Sequence, residues 1–169
     1  SHSAFRHFTP GFERNISDEL ALAIAAKGGV VQIPFGNAFV DPCSAADTQA
    51  YFDDYAVFQA DRAAGRTTRT VAEFDAEWER AHPNRPVALD AVLDQIDYGV
   101  KLLGIAHVGI GSDFDGVGGA LPEGLRTAAD FPRLIAGLQA RGYTEAQIEQ
   151  LMGGNLLRVW RAVEDASAR

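Results

Sequence analysis

Apolar residues recur along this chain with two different periods. In "NISDELALAIAAKGGVVQIPF" a helical period comes first: Leu20, Ile24 and the alanines share one face. Ser17 precedes that run as an N-cap, Asp18 and Glu19 occupy the first turn where the helix dipole favours acids, and Gly28 and Gly29 end it. The next stretch, "VVQIPF" at 30–35, is short and β-branched, as a strand buried on both faces should be. Two more helices are predicted over 44–64 and 70–82, the second opened by Thr70 and Glu73 at capping-box spacing. Residues 82–86, "HPNRP", are a loop. Residues 87–104 form a long amphipathic helix with Leu89, Val92, Leu93, Ile96, Val100 and Leu103 on or near one stripe. "HVGIGSD" follows as a second strand, and helices near 128–141, 145–152 and 155–166 close the chain, with Thr144 and Asn155 as caps.

Strands that alternate with helices predict a parallel sheet with active groups at the strands' carboxyl ends. Only two strands are convincing, and so small a sheet cannot cover this many amphipathic helices. No internal repeat or low-complexity linker marks a second domain. The economical reading is an α/β chain that forms part of a larger α/β barrel.

Composition narrows the classes of partner. At 169 residues, 47% apolar and 22% charged, the chain is long enough for one ordinary domain with a core. A formal charge of −8 argues against nucleic acid and anionic membranes, which call for basic patches. The single cysteine, Cys43, excludes an internal disulfide. No apolar run approaches the roughly 18–20 residues of a membrane helix, and no signal peptide is visible.

The candidate chemistry lies at the ends of the two strands. In "HVGIGSDFDGVGG" Asp113 falls at the C-terminal tip of the second strand, where a barrel enzyme places catalysis. A carboxylate there can bind a metal, move a proton or grip a substrate amine; equally, Asp-Phe-Asp-Gly can be a turn with the acid as a cap. Asp115, two residues on, faces elsewhere. His2 is either a ligand or the scar of an expression tag. Arg14 precedes the first helix; it can hold a carboxylate in a bidentate grip or stand as a solvated surface arginine. His82 and His107 read as structural or solvent-facing.

Together these segments resemble the C-terminal half of the membrane (renal) dipeptidase family, peptidase family M19, in its bacterial branch. "SHSAFR" is similar to the family's Ser-His-Ser segment, and "ERNISDELALAIAAKGGVVQI" to its Arg-Asn helix and following strand. "GIGSDFDGVGGALPEGL" resembles the Asp-Phe-Asp-Gly signature with its Pro-Glu-Gly-Leu follow-on, and "GGNLLRVWRAVE" the closing Asn-Leu-Leu-Arg-Val helix. Residues 44–85 match least and read as a helical insertion of a subgroup.

The resemblance implies the C-terminal part of a (β/α)8 TIM barrel of the metal-dependent hydrolase type. Residues 1–169 would be one half of a single barrel domain whose N-terminal half is absent. It implies a two-zinc site and the hydrolysis of dipeptides to free amino acids. His2 would be a zinc ligand and Arg14 would bind the substrate's C-terminal carboxylate. Asp113 would be both catalytic and substrate-binding, handling the proton and contacting the substrate amine. Such a site suits the residue types, since metals polarise a carbonyl and a nearby carboxylate carries the proton.

There are departures. Pro34, Phe35 and Gly36 stand where the family often has Asn-Phe-Tyr, at a pocket-lining position, which bears on substrate preference. Gln95 and Tyr98 stand where it often has His-x-x-His, a change expected to cost structure little. The family's other zinc ligands precede the Ser-His-Ser segment, so the chain alone is expected to be neither active nor stably metallated. Two alternatives stay open: another amidohydrolase-type barrel enzyme, such as an N-acyl amino acid deacylase, and a metal-free, non-enzymatic family member. The remaining expectations are a dipeptide as partner, no nucleic acid, no membrane anchor after "RAVEDASAR", compatibility with a homodimer, and a cytoplasmic location.

Overall fold

In the computed structural model, which describes residues 2–167, the fold is organised on one short parallel pair. Strand β1 (Val31–Pro34) lies beside β2 (Val108–Ser112), with Val31 opposite Val108, Gln32 opposite Gly109 and Ile33 opposite Ile110. The register slips at Pro34, which has no N–H for the ladder; pairing resumes when the Phe35 N–H donates to the Ser112 carbonyl at 2.8 Å. Both strands are apolar and enclosed by helices, the pattern of a parallel sheet. Mixed α/β architecture dominated by helices is what the periodicities predicted.

Helix α1 (Asp18–Ala26) starts where expected, with the Ser17 hydroxyl accepting from the Leu20 N–H. Its buried face is a correction. Only Ala21 is buried, while Leu20 and Leu22 are 55% and 47% exposed. The small alanine side chain allows close approach to the rest of the fold, which turns the leucines outward. A short helix absent from the sequence reading, α2 (Asn37–Val40), follows β1. Then α3 (Pro42–Ala63) and α4 (Val71–Ala81) form a hairpin over the region expected to be helical. Asp41 caps α3 through the Ser44 N–H at 2.7 Å, with Pro42 in the first turn, and the Thr70–Glu73 capping box is present in both directions. The hairpin carries its own aromatic seam, in which Phe58 and Phe74 stack at 4.6 Å.

Helix α5 (Asp90–Leu103) crosses behind the sheet with Val92, Leu93 and Ile96 buried as predicted, and with Gln95 and Gly99 buried beside them. After β2 come α6 (Phe131–Ala140), α7 (Glu145–Glu149), a π-turn at Gln150–Gly154, and α8 (Asn155–Ser167). Thr144 caps α7 as expected. Asn155 does not cap α8. The chain kinks at Gly153 just before α8, and Asn155 Nδ2 donates to the carbonyls of Ile105 and Val108, latching α8 to the start of β2. Ile33, Phe35, Ile96, Val108, Leu134, Leu138 and Leu151 fill one core. On α8, Leu156, Leu157, Trp160 and Val163 face outward. No helix of the described residues is long and apolar enough to cross a membrane.

Candidate functional site

The ends of the two strands bring His2, Arg14 and Asp113 together. The segment before α1 runs along β1, its Ser3 N–H donating to the Gln32 carbonyl at 2.9 Å. This lays His2 across β2 at Gly111. A Cβ on Gly111 would stand 2.7 Å from the His2 Cβ, so only glycine admits the histidine there. Ser1, the first residue of the Ser-His-Ser segment, lies outside the described residues.

Asp113 caps the strand in a strained conformation. Ser112 and Asp113 have φ of 38° and 68°, left-handed values uncommon for residues with a side chain. Strain of that kind persists where the surroundings over-determine it, and it gathers at functional sites. It turns the Asp113 carboxylate toward His2, with Oδ2 3.3 Å from His2 Nε2 and the two side chains 19% and 29% exposed. Gly116 makes room on the other side, since a Cβ there would lie 2.1 Å from Asp113 Oδ1. Asp115 is exposed, facing away as expected.

Arg14 closes the group. Its Nη1 donates to the His2 carbonyl at 3.1 Å, its Nη2 lies 3.2 Å from His2 Nε2, and its guanidinium rests over the Phe39 ring at 5.1 Å. A flat cation on an aromatic face keeps its outer N–H groups available for a carboxylate. The two contacts at His2 Nε2 are chemical alternatives. Arg14 can only donate, so it needs the lone pair; Asp113 accepts, so it needs an N–H there. A cavity of about 330 Å³ opens beside the group, lined by His2, Arg14, Ile24, Val31 and Gln32 among others. Asp113 is not among the residues that line it. A larger cleft of about 750 Å³ separates the α3–α4 hairpin from the loop at 116–120.

His2 and Asp113 are donor types that zinc accepts, but they are only two. The described residues hold no group of three or more His, Cys, Asp or Glu side chains able to hold a metal ion. A catalytic zinc takes about three protein ligands. The described residues therefore do not make up a metal site by themselves. His82 and His107 are elsewhere, as read from sequence: His82 stacks on Trp78 at 3.8 Å, and His107 Nδ1 lies 2.8 Å from the Gly29 carbonyl.

Three residues that matter to this geometry were missed. Asn15, Phe39 and Gln95 sit beneath the group, and Gln95 is fully buried. The Gln95 side chain makes three hydrogen bonds, accepting from the Phe5 N–H and donating to the carbonyls of Phe5 and Phe39. The signal was available, because a polar residue inside the apolar stripe of an amphipathic helix must find partners.

A strand-end carboxylate thus stands beside a histidine and an aromatic-backed arginine on a parallel α/β frame, and solved structures of dipeptidases share this fold. The probable dipeptidase PvdM from Pseudomonas aeruginosa superposes with a TM-score of 0.69 at 32% identity over 94% of this chain and 43% of that one. A metallo peptidase from Rhodobacter sphaeroides, solved with a phosphinate mimic of the dipeptide L-Ala-D-Ala, shares the fold with a TM-score of 0.63 at 24% identity, over 92% of this chain and 33% of that one. Among curated proteins, the dipeptidase ataJ of Aspergillus terreus is 31% identical over all of this chain and 31% of its own length. The chain belongs to the membrane dipeptidase family, peptidase family M19, whose model matches residues 1–169. It spans about a third of the length of the Aspergillus relative.

Proposed function

We propose that residues 1–169 form the C-terminal part of the barrel of a zinc-dependent dipeptidase, with 44–85 as a helical insertion. The reaction is hydrolysis of a dipeptide to two free amino acids. The observation that carries this reading is the convergence of His2, Arg14 and Asp113 at the strand ends. In it, the Arg14 guanidinium holds the substrate's terminal carboxylate through charge-assisted hydrogen bonds, a demand that only a peptide ending close to the scissile bond satisfies. Asp113 contacts the free amine. It takes a proton from the attacking water as the carbon–oxygen bond forms, and returns it to the leaving nitrogen as the carbon–nitrogen bond breaks. His2 would hold zinc together with ligands that the described residues do not supply, and the metal would polarise the scissile carbonyl. Family membership and the dipeptide mimic bound by a fold relative support the substrate class.

Steady-state kinetics of the protein as its own cells make it test the assignment. Arg14→Ala is expected to lower kcat/KM for dipeptides by about 10–100-fold, in line with losing a charged hydrogen bond of about 1.5–3 kcal/mol. Asp113→Asn should lower kcat by about 10²–10⁴-fold, the usual worth of a general acid–base. A protein that cleaves N-acyl amino acids, ignores dipeptides and tolerates Arg14→Ala would overturn the reading.

A further inference from the structure

The backbone beneath the site is tied by two side-chain amides that converge on one atom. Asn15 Nδ2 and Gln95 Nε2 both donate to the Phe39 carbonyl, at 2.8 and 3.2 Å. Their oxygens reach the other way, to consecutive N–H groups. Asn15 Oδ1 accepts from the Ala4 N–H at 3.2 Å, and Gln95 Oε1 from the Phe5 N–H at 2.8 Å. Asn15 also donates to the Thr9 hydroxyl at 2.7 Å. Both amides are buried, with exposures of 1% and 0%. Each thus spans from the His2 segment to α2.

The endpoints of these spans are the parts that aim the site. Ala4 and Phe5 lie two and three residues after His2 in the chain. The Phe39 ring lies 6.2 Å from the His2 ring and 5.1 Å from the Arg14 guanidinium. Asn15 is the neighbour of Arg14. Asn15 also lines the cavity beside Arg14, whereas Gln95 stands outside that lining.

We propose that Asn15 and Gln95 are positioning residues, a double amide clamp that fixes the His2 segment to the Phe39 shelf and thereby sets how Arg14 and Asp113 meet at His2. Two buried amides suit the task. Each offers a donor and an acceptor at fixed separation, and a fully satisfied buried network holds one geometry where an apolar contact would allow several. The functional meaning rests on the dipeptidase reading; the clamp itself does not.

The test is NMR of the ¹⁵N-labelled native protein, with Arg14→Ala as the reference for a His2 ring that has lost its Arg14 contact. In the wild type, the Asn15 and Gln95 side-chain NH₂ protons should resist solvent exchange and show contacts to Phe39. Gln95→Met keeps length and removes the amide's three hydrogen bonds; it should move the His2 ring nitrogens toward their Arg14→Ala positions. Asn15→Ala should do the same. Leu138→Ala, which empties part of the core away from the site, should lower the melting temperature without moving them. The clamp is overturned if the wild-type amides exchange as free amides do, or if Gln95→Met leaves the His2 signals where Leu138→Ala leaves them. Should the variants fail to fold, the exchange measurement on the wild type still decides whether the clamp exists. Neither readout needs turnover. A protein with a protected, position-setting clamp and no dipeptide hydrolysis would reject the functional reading alone.

Discussion

Glycine decides where the functional atoms stand. Gly116 is the clearest case, because a methyl group there would meet the Asp113 carboxylate before it met any backbone. Its φ is not among the positive values, so alanine suits the chain locally and the conflict falls on the carboxylate. Gly116→Ala should therefore leave the melting temperature nearly unchanged while turning Asp113 away from His2. A displacement of about 1 Å in a catalytic group costs up to ~10²-fold in rate, so kcat in the native protein should fall by 10–100-fold. Equal losses of stability and activity would place the effect on folding instead. The place of Asp113 at the tip of the second strand was legible from the apolar run that precedes it. Arg14 became legible only through the motif around it. Gln95 was not, because a single glutamine on a helix gives no sign of which distant backbone groups it will satisfy.

Helices keep their places here through ends and edges as much as through apolar stripes. Arg141, just after α6, reaches back to α5 and pairs with Asp90, Asp94 and Asp97 at 3.0, 2.7 and 2.5 Å, while the Tyr143 hydroxyl donates to Asp97. Burial opposes the arginine's charge, but the three carboxylates outweigh it and hold it firmly protonated. Arg141→Ala would leave three acids along one face of α5 without their cation. The loss should be about 1–2 kcal/mol by urea denaturation, between an exposed and a buried pair, and should shrink as salt is added. The sequence reading found most of these helices because caps are local signals: Ser17, Thr70 and Thr144 all accept from the backbone as their spacing predicts. It failed where the environment overrides local rules. The leucines of α1 face outward because Ala21 takes the inner position, and Asn155 serves a strand rather than its own helix.

Across the molecule, phenols link elements far apart in sequence and make stability sensitive to alkali. Tyr98 on α5 donates to Asp18 on α1 at 2.5 Å, and Tyr51 on α3 donates to Asp75 on α4 at 2.9 Å. Burial first, then the carboxylate partner, pushes both up to about 12; Tyr143 is raised for the same reasons by Asp97. A pKa raised on folding contributes stability that is complete below the unfolded value near 10 and is lost as pH climbs through 12. The melting temperature should therefore fall between pH 10 and 12, and Tyr98→Phe should flatten part of that fall. The proposal for the whole molecule is larger than any one element: Arg14 and Asp113 would handle the substrate of a zinc dipeptidase, and His2 its metal. It is tested most directly by purifying the protein from the cells that make it, stripping and restoring zinc, and following dipeptide hydrolysis in the wild type and in Asp113→Asn. Hydrolysis that disappears with zinc, returns with zinc and is lost in Asp113→Asn is the predicted result. Hydrolysis indifferent to Asp113→Asn, or zinc-replete protein that cleaves no dipeptide, would contradict it.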